Sequence, residues 1–415
     1  MAVAGALLLG AGGAQAAGPG PAHRHISRVY LTVSPETPKK IPGGNVPFKR
    51  QTAPGSGSRP DAITPAPLDS ISVNDCLAHA ATSSRGNGWA SGRHDSCQSY
   101  HLHTWKVDCD WWFCSQVGSA DADLVDYQFT PDGKFQSRHI YVEQFIGNWS
   151  RKGEMSGINL TLNTTCRPTQ GSGPCQTNLG SPTTEPVDAW VALGNQYNWY
   201  YFEQPKSSGV GNARVSYADL SWHLLVTGGE NGPVTRDGPN SQVRCDSASY
   251  ILYASGGEGC VFPWAPVPTW TIHRSATPEA AQNIYEAQTR PLTTQPPSTL
   301  FGVPFKLIVG APSTYPLHRD AVADHIEAHR TTAQQACRRF FPGRYPAPHT
   351  DCDEYPFAST TEGSVNYGNF RNYVVKPIDS DDNQAAGRDL GLFYATERLL
   401  GDDGFNEPFH VSVQP

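Results

Sequence analysis

The chain lacks any apolar run of membrane-spanning length, since its one opening stretch, roughly Val3 to Leu9 of "MAVAGALLLGAGGAQAAGPG", is too short. No membrane span is expected. It also lacks positive charge in excess: 31 Lys and Arg stand against 38 Asp and Glu, a net charge of -7. That excludes a surface that is basic overall, so a polyanion partner has to be held locally or through a metal. Zinc patterns are incomplete. "CDWWFC" is followed by no matching Cys or His pair, and "HIEAH" places Glu327 two residues after His325 instead of directly after it, as zinc protease helices require. Between Asp69 and Trp270 no segment carries a defensible helical pattern.

What is present points to export. Ala14-Gln15-Ala16 has the small-x-small form of a signal-peptidase site, so residues 1–17 are expected to be a signal peptide and the protein to be secreted and extracellular. The ten cysteines fall into near neighbours: Cys76 with Cys97, Cys109 with Cys114, Cys166 with Cys175, Cys245 with Cys260, and Cys337 with Cys352. Behind a signal, an even count at these spacings reads as disulfides formed in an oxidising compartment.

A length of 415 residues predicts more than one domain, and Gly 40 with Pro 35 suits a loop-rich, β-rich secreted chain. Residues 18–68 are rich in Pro, Gly, Ser and Thr and read as a flexible leader. Residues 69–270 change character. "LVDYQFT", "RHIYVEQFIG", "INLTLNTT", "VDAWVAL", "YNWYYFEQ" and "VSYADLSWHLLVT" are short β-branched and aromatic segments between turn residues. They predict an antiparallel sandwich or barrel. Its Trp and Tyr residues serve core and cross-strand pairs in the first reading and a glycan-binding or nucleotide-stacking face in the second, with a glycan or cell-surface ligand as the domain's expected partner. Asn148, Asn159 and Asn163 begin glycosylation sequons by pattern alone.

After Trp270 helices enter. "TPEAAQNIYEAQ" has Thr277 as N-cap, Pro278 at the first helical position and Glu279 in the first turn, predicting a helix to about Gln288. "HRDAVADHIEAHRTTAQQACRRFF" predicts another, ending before Pro342-Gly343. Further on, "TDCDEYPFASTTEG" gathers Asp351, Asp353 and Glu354 around Cys352 and continues into a strand-like "DEYPFAST". "RNYVVKPI" reads as a second strand, and "SDDNQAAGRDLGLFYATERLL" as a helix with Leu390, Phe393, Tyr394 and Leu400 on or near one apolar face. Acids from the strands can thus stand opposite polar residues at the helix start.

"CDEYPFASTTEG", followed by "DNQAAG" and "FYATERLL", resembles the NucA/NucB family of secreted bacterial deoxyribonucleases, and "TPEAAQNIYEAQ" resembles the helix that opens its compact members. The likeness spans residues 271–415. It implies an α+β C-terminal domain of the ββα-metal (His-Me-like) kind, in which a hairpin carries the general base and the following helix a metal ligand. By that resemblance Asp353 is the base, Asn383 is the asparagine at the metal, and Glu354 and Glu362 are flanking acids. Asn383 is the favoured metal ligand, with Glu362 or Glu354 expected to complete the site directly or through water, and Glu397, a further metal candidate, stands where compact members have an amide.

The chemistry agrees with this assignment. Phosphodiester hydrolysis needs a deprotonated water and positive charge on the phosphate, and carboxylate and amide oxygens suit a hard ion such as Mg2+ or Mn2+. An aspartate with a pKa near ~4 is a weak base, and crowding by Asp351 and Glu354 is expected to raise it. An unbroken helix from Asn383 to Glu397 would separate them by about 21 Å, so either the helix starts later, near Arg388, or Glu397 serves another role. Arg388 and Arg398 are expected to meet phosphates, with Arg338, Arg339 and Arg344 as the densest basic cluster.

The expected function is non-specific DNA cleavage, with RNA as a further substrate class. Two rivals stand beside it. One is a glycosidase using Asp353 and Glu362 with a glycan-binding β-domain; the other is a binding protein on a degenerate nuclease scaffold.

Overall fold

The computed structural model describes residues 26–45, 71–110, 113–132, 136–171, 175–179, 182–251, 257–365 and 372–415. The segment read as a signal peptide lies outside them. The first part is built on β1 (Ile26–Pro35), β2 (Trp89–Gly92), β3 (Asp95–Asp110), β4 (Phe113–Phe129), β5 (His139–Gly153), β6 (Asn159–Gln170), β7 (Gln176–Leu179), β8 (Thr183–Pro186), β9 (Gln196–Glu203), β10 (Ser216–Thr227), β11 (Val234–Asp237), β12 (Ser241–Asp246) and β13 (Gly259–Val261).

These strands make two antiparallel sheets. One is seven-stranded in the order β1-β3-β4-β5-β9-β7, with β2 on β3, and the other six-stranded in the order β13-β12-β10-β6-β8, with β11 on β10. Alternate residues explain the packing. Ala120, Ala122 and Leu124 of β4 meet Leu160, Leu162, Trp222 and Leu224 of the second sheet in one buried cluster, so the sheets form a sandwich. The intervening Val125, Tyr127 and Phe129 face the other way, against Val73, Cys76 and Leu77 of helix α1 (Val73–Ala78).

Two sequence readings change here. The leader assigned to 18–68 contains β1, whose Val29 and Leu31 are buried and which pairs along its full length with β3. Its in-out alternation had been obscured by the Pro-rich segments around it. Helices also occur where none was expected: α1, α2 (Ala80–Ser83) and α3 (Val187–Leu193). In α3, read as a strand, Val187, Trp190 and Val191 lie at helical spacing and pack on the sandwich core, and the Trp190 indole donates to Leu160 O at 3.0 Å.

The remaining chain is α+β. It comprises β14 (Thr269–His273), α4 (Pro278–Thr289), the short β15 (Thr299–Leu300) and β16 (Val303–Pro304), β17 (Leu317–His318), α5 (Ala323–Phe340), β18 (Thr350–Tyr355), β19 (Val374–Asp379), α6 (Ser380–Thr396) and β20 (Pro408–Gln414). β20 pairs in parallel with β14 and antiparallel with β17, and their residues join α4 and α6 in a second core. All five cysteine pairs inferred from spacing are disulfides. Among the described residues no helix is long and apolar enough to cross a membrane.

A buried ion network joins the β-rich part to the α+β part. Arg398, placed at a phosphate by the sequence, is fully buried and pairs with Asp246, which also binds Arg244 at 3.1 Å. Arg244 and Arg93 pair with Glu407, the latter at 2.9 Å. Burial favours the neutral form of Glu407, but the two guanidinium groups outweigh it and hold the carboxyl down to about 2.

Candidate active site

The β18–β19 hairpin is flanked by helices on both faces, and strand alternation decides which residue meets which helix. Tyr355 packs in the core with Ala280 and Ile284 of α4, whereas Cys352 bonds to Cys337 of α5. Asp353 therefore turns toward α4, where Asn283 Nδ2 donates to its Oδ2 at 2.9 Å. Glu354 turns toward α5 and Arg330. Lys376, directly across from Asp353, is engaged by Glu286 at 2.9 Å.

Only 9% of Asp353 is exposed, and burial pushes its carboxyl up to about 7; the Asn283 amide opposes the shift and the charge of Asp382 adds to it. Glu354 is pushed up to about 8, first by burial and then by the charge of Asp353, against Arg330. The expected elevation is there, but its leading cause is desolvation, and the charge that adds to it at Asp353 is that of Asp382 instead of Asp351 or Glu354.

The start of α6 is braced against the start of α4. Asp379 caps α6 by accepting from Asp381 N and Asp382 N at 2.9 and 3.2 Å. Asp382 in turn accepts from Glu279 N and Ala280 N at 2.6 and 3.0 Å, covering donors that Thr277, the expected cap, leaves open. Glu279 completes the brace by accepting from Asp379 N at 2.8 Å. This fixes the first turn of α6 so that Asn383 Nδ2 and Gln384 Nε2 each lie 3.5 Å from Asp351 Oδ2.

These groups line a cleft of about 820 Å3 with Asp353, Glu354, Arg330 and Arg388. Of the residues singled out from sequence, Asp353, Glu354, Asn383 and Arg388 come together there. Glu362 does not line it: its carboxylate binds His318 through Nδ1 at 2.7 Å and backbone N at 2.9 Å. Glu397 is also elsewhere. The helix is unbroken from Ser380 to Thr396, so Glu397 caps its far end, in the field of Arg93 and about 21 Å from Asn383.

Arg338, Arg339 and Arg344 sit at the exposed end of α5, over the rings of Tyr345, Phe340 and Phe341. The histidines of "HIEAH" do separate jobs: His325 binds Asp320 at 2.9 Å, and the His329 ring accepts from Val365 N at 2.8 Å. Cys109 and Cys114 of "CDWWFC" are a disulfide.

Sequence reasoning missed Asn283 and Arg330. A signal existed for the first, since Asn283 is a lone amide on the buried face formed by Ala280, Ile284 and Ala287. None existed for the second.

The fit to a metal is of a particular kind. Among the described residues, the one group of three His, Cys, Asp or Glu side chains converging within 4.8 Å is Glu36, His101 and Asp123, far along the chain, where Lys39 supplies the cation at 2.7 Å from Asp123. The cleft offers the hard oxygens of Asp351, Asn383 and Gln384, and the buried Asn283 Oδ1 beside Asp353 has no hydrogen-bond partner. That suits a hard divalent ion that keeps most of its water and takes one or two protein oxygens.

The site is thus a strand–strand–helix unit in which a buried aspartate of the first strand and an amide from the first turn of the helix line one cleft. Residues 309–406 match the family model Deoxyribonuclease NucA/NucB, so the C-terminal part of the chain is a deoxyribonuclease domain of the NucA/NucB type. No curated protein matches the chain, and no solved structure does. The matched segment includes β17 to α6 and omits α4, which carries Asn283.

Proposed function

We propose that the protein is an exported, metal-dependent endodeoxyribonuclease in which Asp353 activates water and β18, β19 and α6 are the ββα unit of a ββα-metal nuclease domain spanning residues 271–415. The observation that carries this reading is the placement of Asp353: buried, near neutral pKa, held by Asn283, and lining one cleft with Asn383, Arg330 and Arg388 inside a deoxyribonuclease segment. A base poised near the working pH is the efficient one.

In this reading water loses a proton to Asp353, whose carboxylate orientation is fixed by the Asn283 amide. Glu354, pushed higher than Asp353 by burial and by the charge of Asp353, keeps its proton longer, so Asp353 is the first of the two to ionise. Arg330 and Arg388 hold the phosphate by charge, reading no base, which makes cleavage independent of sequence. Asn383 and Asp351 would hold a divalent ion, which would supply the additional positive charge that the phosphate needs. By analogy with ββα-metal enzymes, the products carry 5′-phosphates. Export is supported by five disulfides, which form and persist in oxidising compartments.

The test is nicking of supercoiled plasmid by the oxidised protein with magnesium or manganese, beside EDTA and Asp353→Ala controls. Cleavage is expected only for the unmodified chain with metal. Intact plasmid in every lane, from folded protein, would sink the proposal.

A further inference from the structure

The cleft does not stop at the acids. It follows α6 from Asn383 past Arg388 to Tyr394, about 17 Å of helix. Its far wall comes from the β-rich part, where Tyr250 and Ile251 follow β12. Ile251 is buried against Ala395 and Leu400, which anchors this wall to the end of α6. Tyr250 is half-buried, and its hydroxyl accepts from Gly401 N at 3.2 Å. Arg319 lines the same end, with its guanidinium 3.9 Å from the centre of the Tyr394 ring. Arg319 Nε is shut away from solvent without a hydrogen-bond partner.

We infer that this end of the cleft is a second nucleotide subsite, in which a base of the bound strand stacks on Tyr250 and the neighbouring phosphate meets Arg319. The inference rests on the cleft being the nuclease site. A stacked strand advances about 3.4 Å per nucleotide, so the subsite lies roughly five nucleotides from the scissile phosphate. Stacking tolerates any base, in keeping with cleavage that reads no sequence. The substrate is accordingly a polynucleotide, and the β-rich part is one of its binding walls.

The full-length chain is assayed with metal on two substrates: bis(p-nitrophenyl) phosphate, which is too small to span the cleft, and a single-stranded DNA of about twelve nucleotides. Tyr250→Ala is expected to raise KM for the oligonucleotide about tenfold, the loss of one stacked base. It should leave turnover of the small phosphodiester unchanged. Tyr250→Phe, which keeps the ring and loses the bond to Gly401, should match the unmodified chain on both. Unchanged KM in Tyr250→Ala, equal losses on both substrates, or an equal loss in Tyr250→Phe each overturn the subsite. An unmodified chain that cuts neither substrate overturns the nuclease reading itself, and the subsite with it.

Discussion

An aspartate in water gives up its proton near pH ~4, while Asp353, walled off from solvent, does so at about 7. Activity that needs its ionised form must therefore rise with pH through that value. The ascending limb of kcat/KM is expected near pH 7, and Asn283→Ala, which removes the amide favouring the anion, should move it upward. A limb that stays between pH ~4 and ~5 in both proteins would show that the base is not this buried carboxyl. At this scale the motif made the placement of Asp353 and Asn383 legible, because both line the cleft on elements close together in sequence. Glu362, Glu397 and Arg398 were misread for one physical reason. Their partners are His318, the field of Arg93, and Asp246, which lie far away in sequence, and a formal charge does not disclose whether it faces phosphate or a buried counter-ion.

At the scale of elements, the site depends on how β18 is gripped. The Cys337–Cys352 bond ties α5 to the residue beside Asp353 across a separation of 15 residues. Chain-entropy reasoning gives a loop of this size about 3 kcal/mol. Cys337→Ser with Cys352→Ser should cost that much in urea unfolding and also lower kcat, since β18 loses one of its two anchors; unaltered kcat would show that the α4 side alone positions Asp353. Helices with explicit start signals, such as α4 at Thr277-Pro278-Glu279, were readable, as was the strand–strand–helix order around the acids. β1 and α3 were not. Each is short, and its identity is decided by the surface that it covers on the sandwich instead of by its own composition.

Across the whole molecule, the β-rich and nuclease parts share the Arg93, Arg244, Arg398, Asp246 and Glu407 network. Removing one member leaves buried charges uncompensated, which costs about 3–5 kcal/mol. Asp246→Ala should lower the unfolding midpoint by a corresponding amount. In the unmodified chain, tryptophan fluorescence and nuclease activity should be lost together; separate midpoints would show that the network does not couple the parts. The sequence shows a change of pattern near residue 270, while the charges that join the β-rich strands to the α+β part could be seen only once the chain was folded. The disulfides have a different consequence. Their partners are 21, 5, 9, 15 and 15 residues apart, and no bridge encloses another. Oxidation can therefore follow the order of the cysteines along the chain, each thiol meeting its partner before the next pair is reached, so the correct covalent pattern needs no reshuffling.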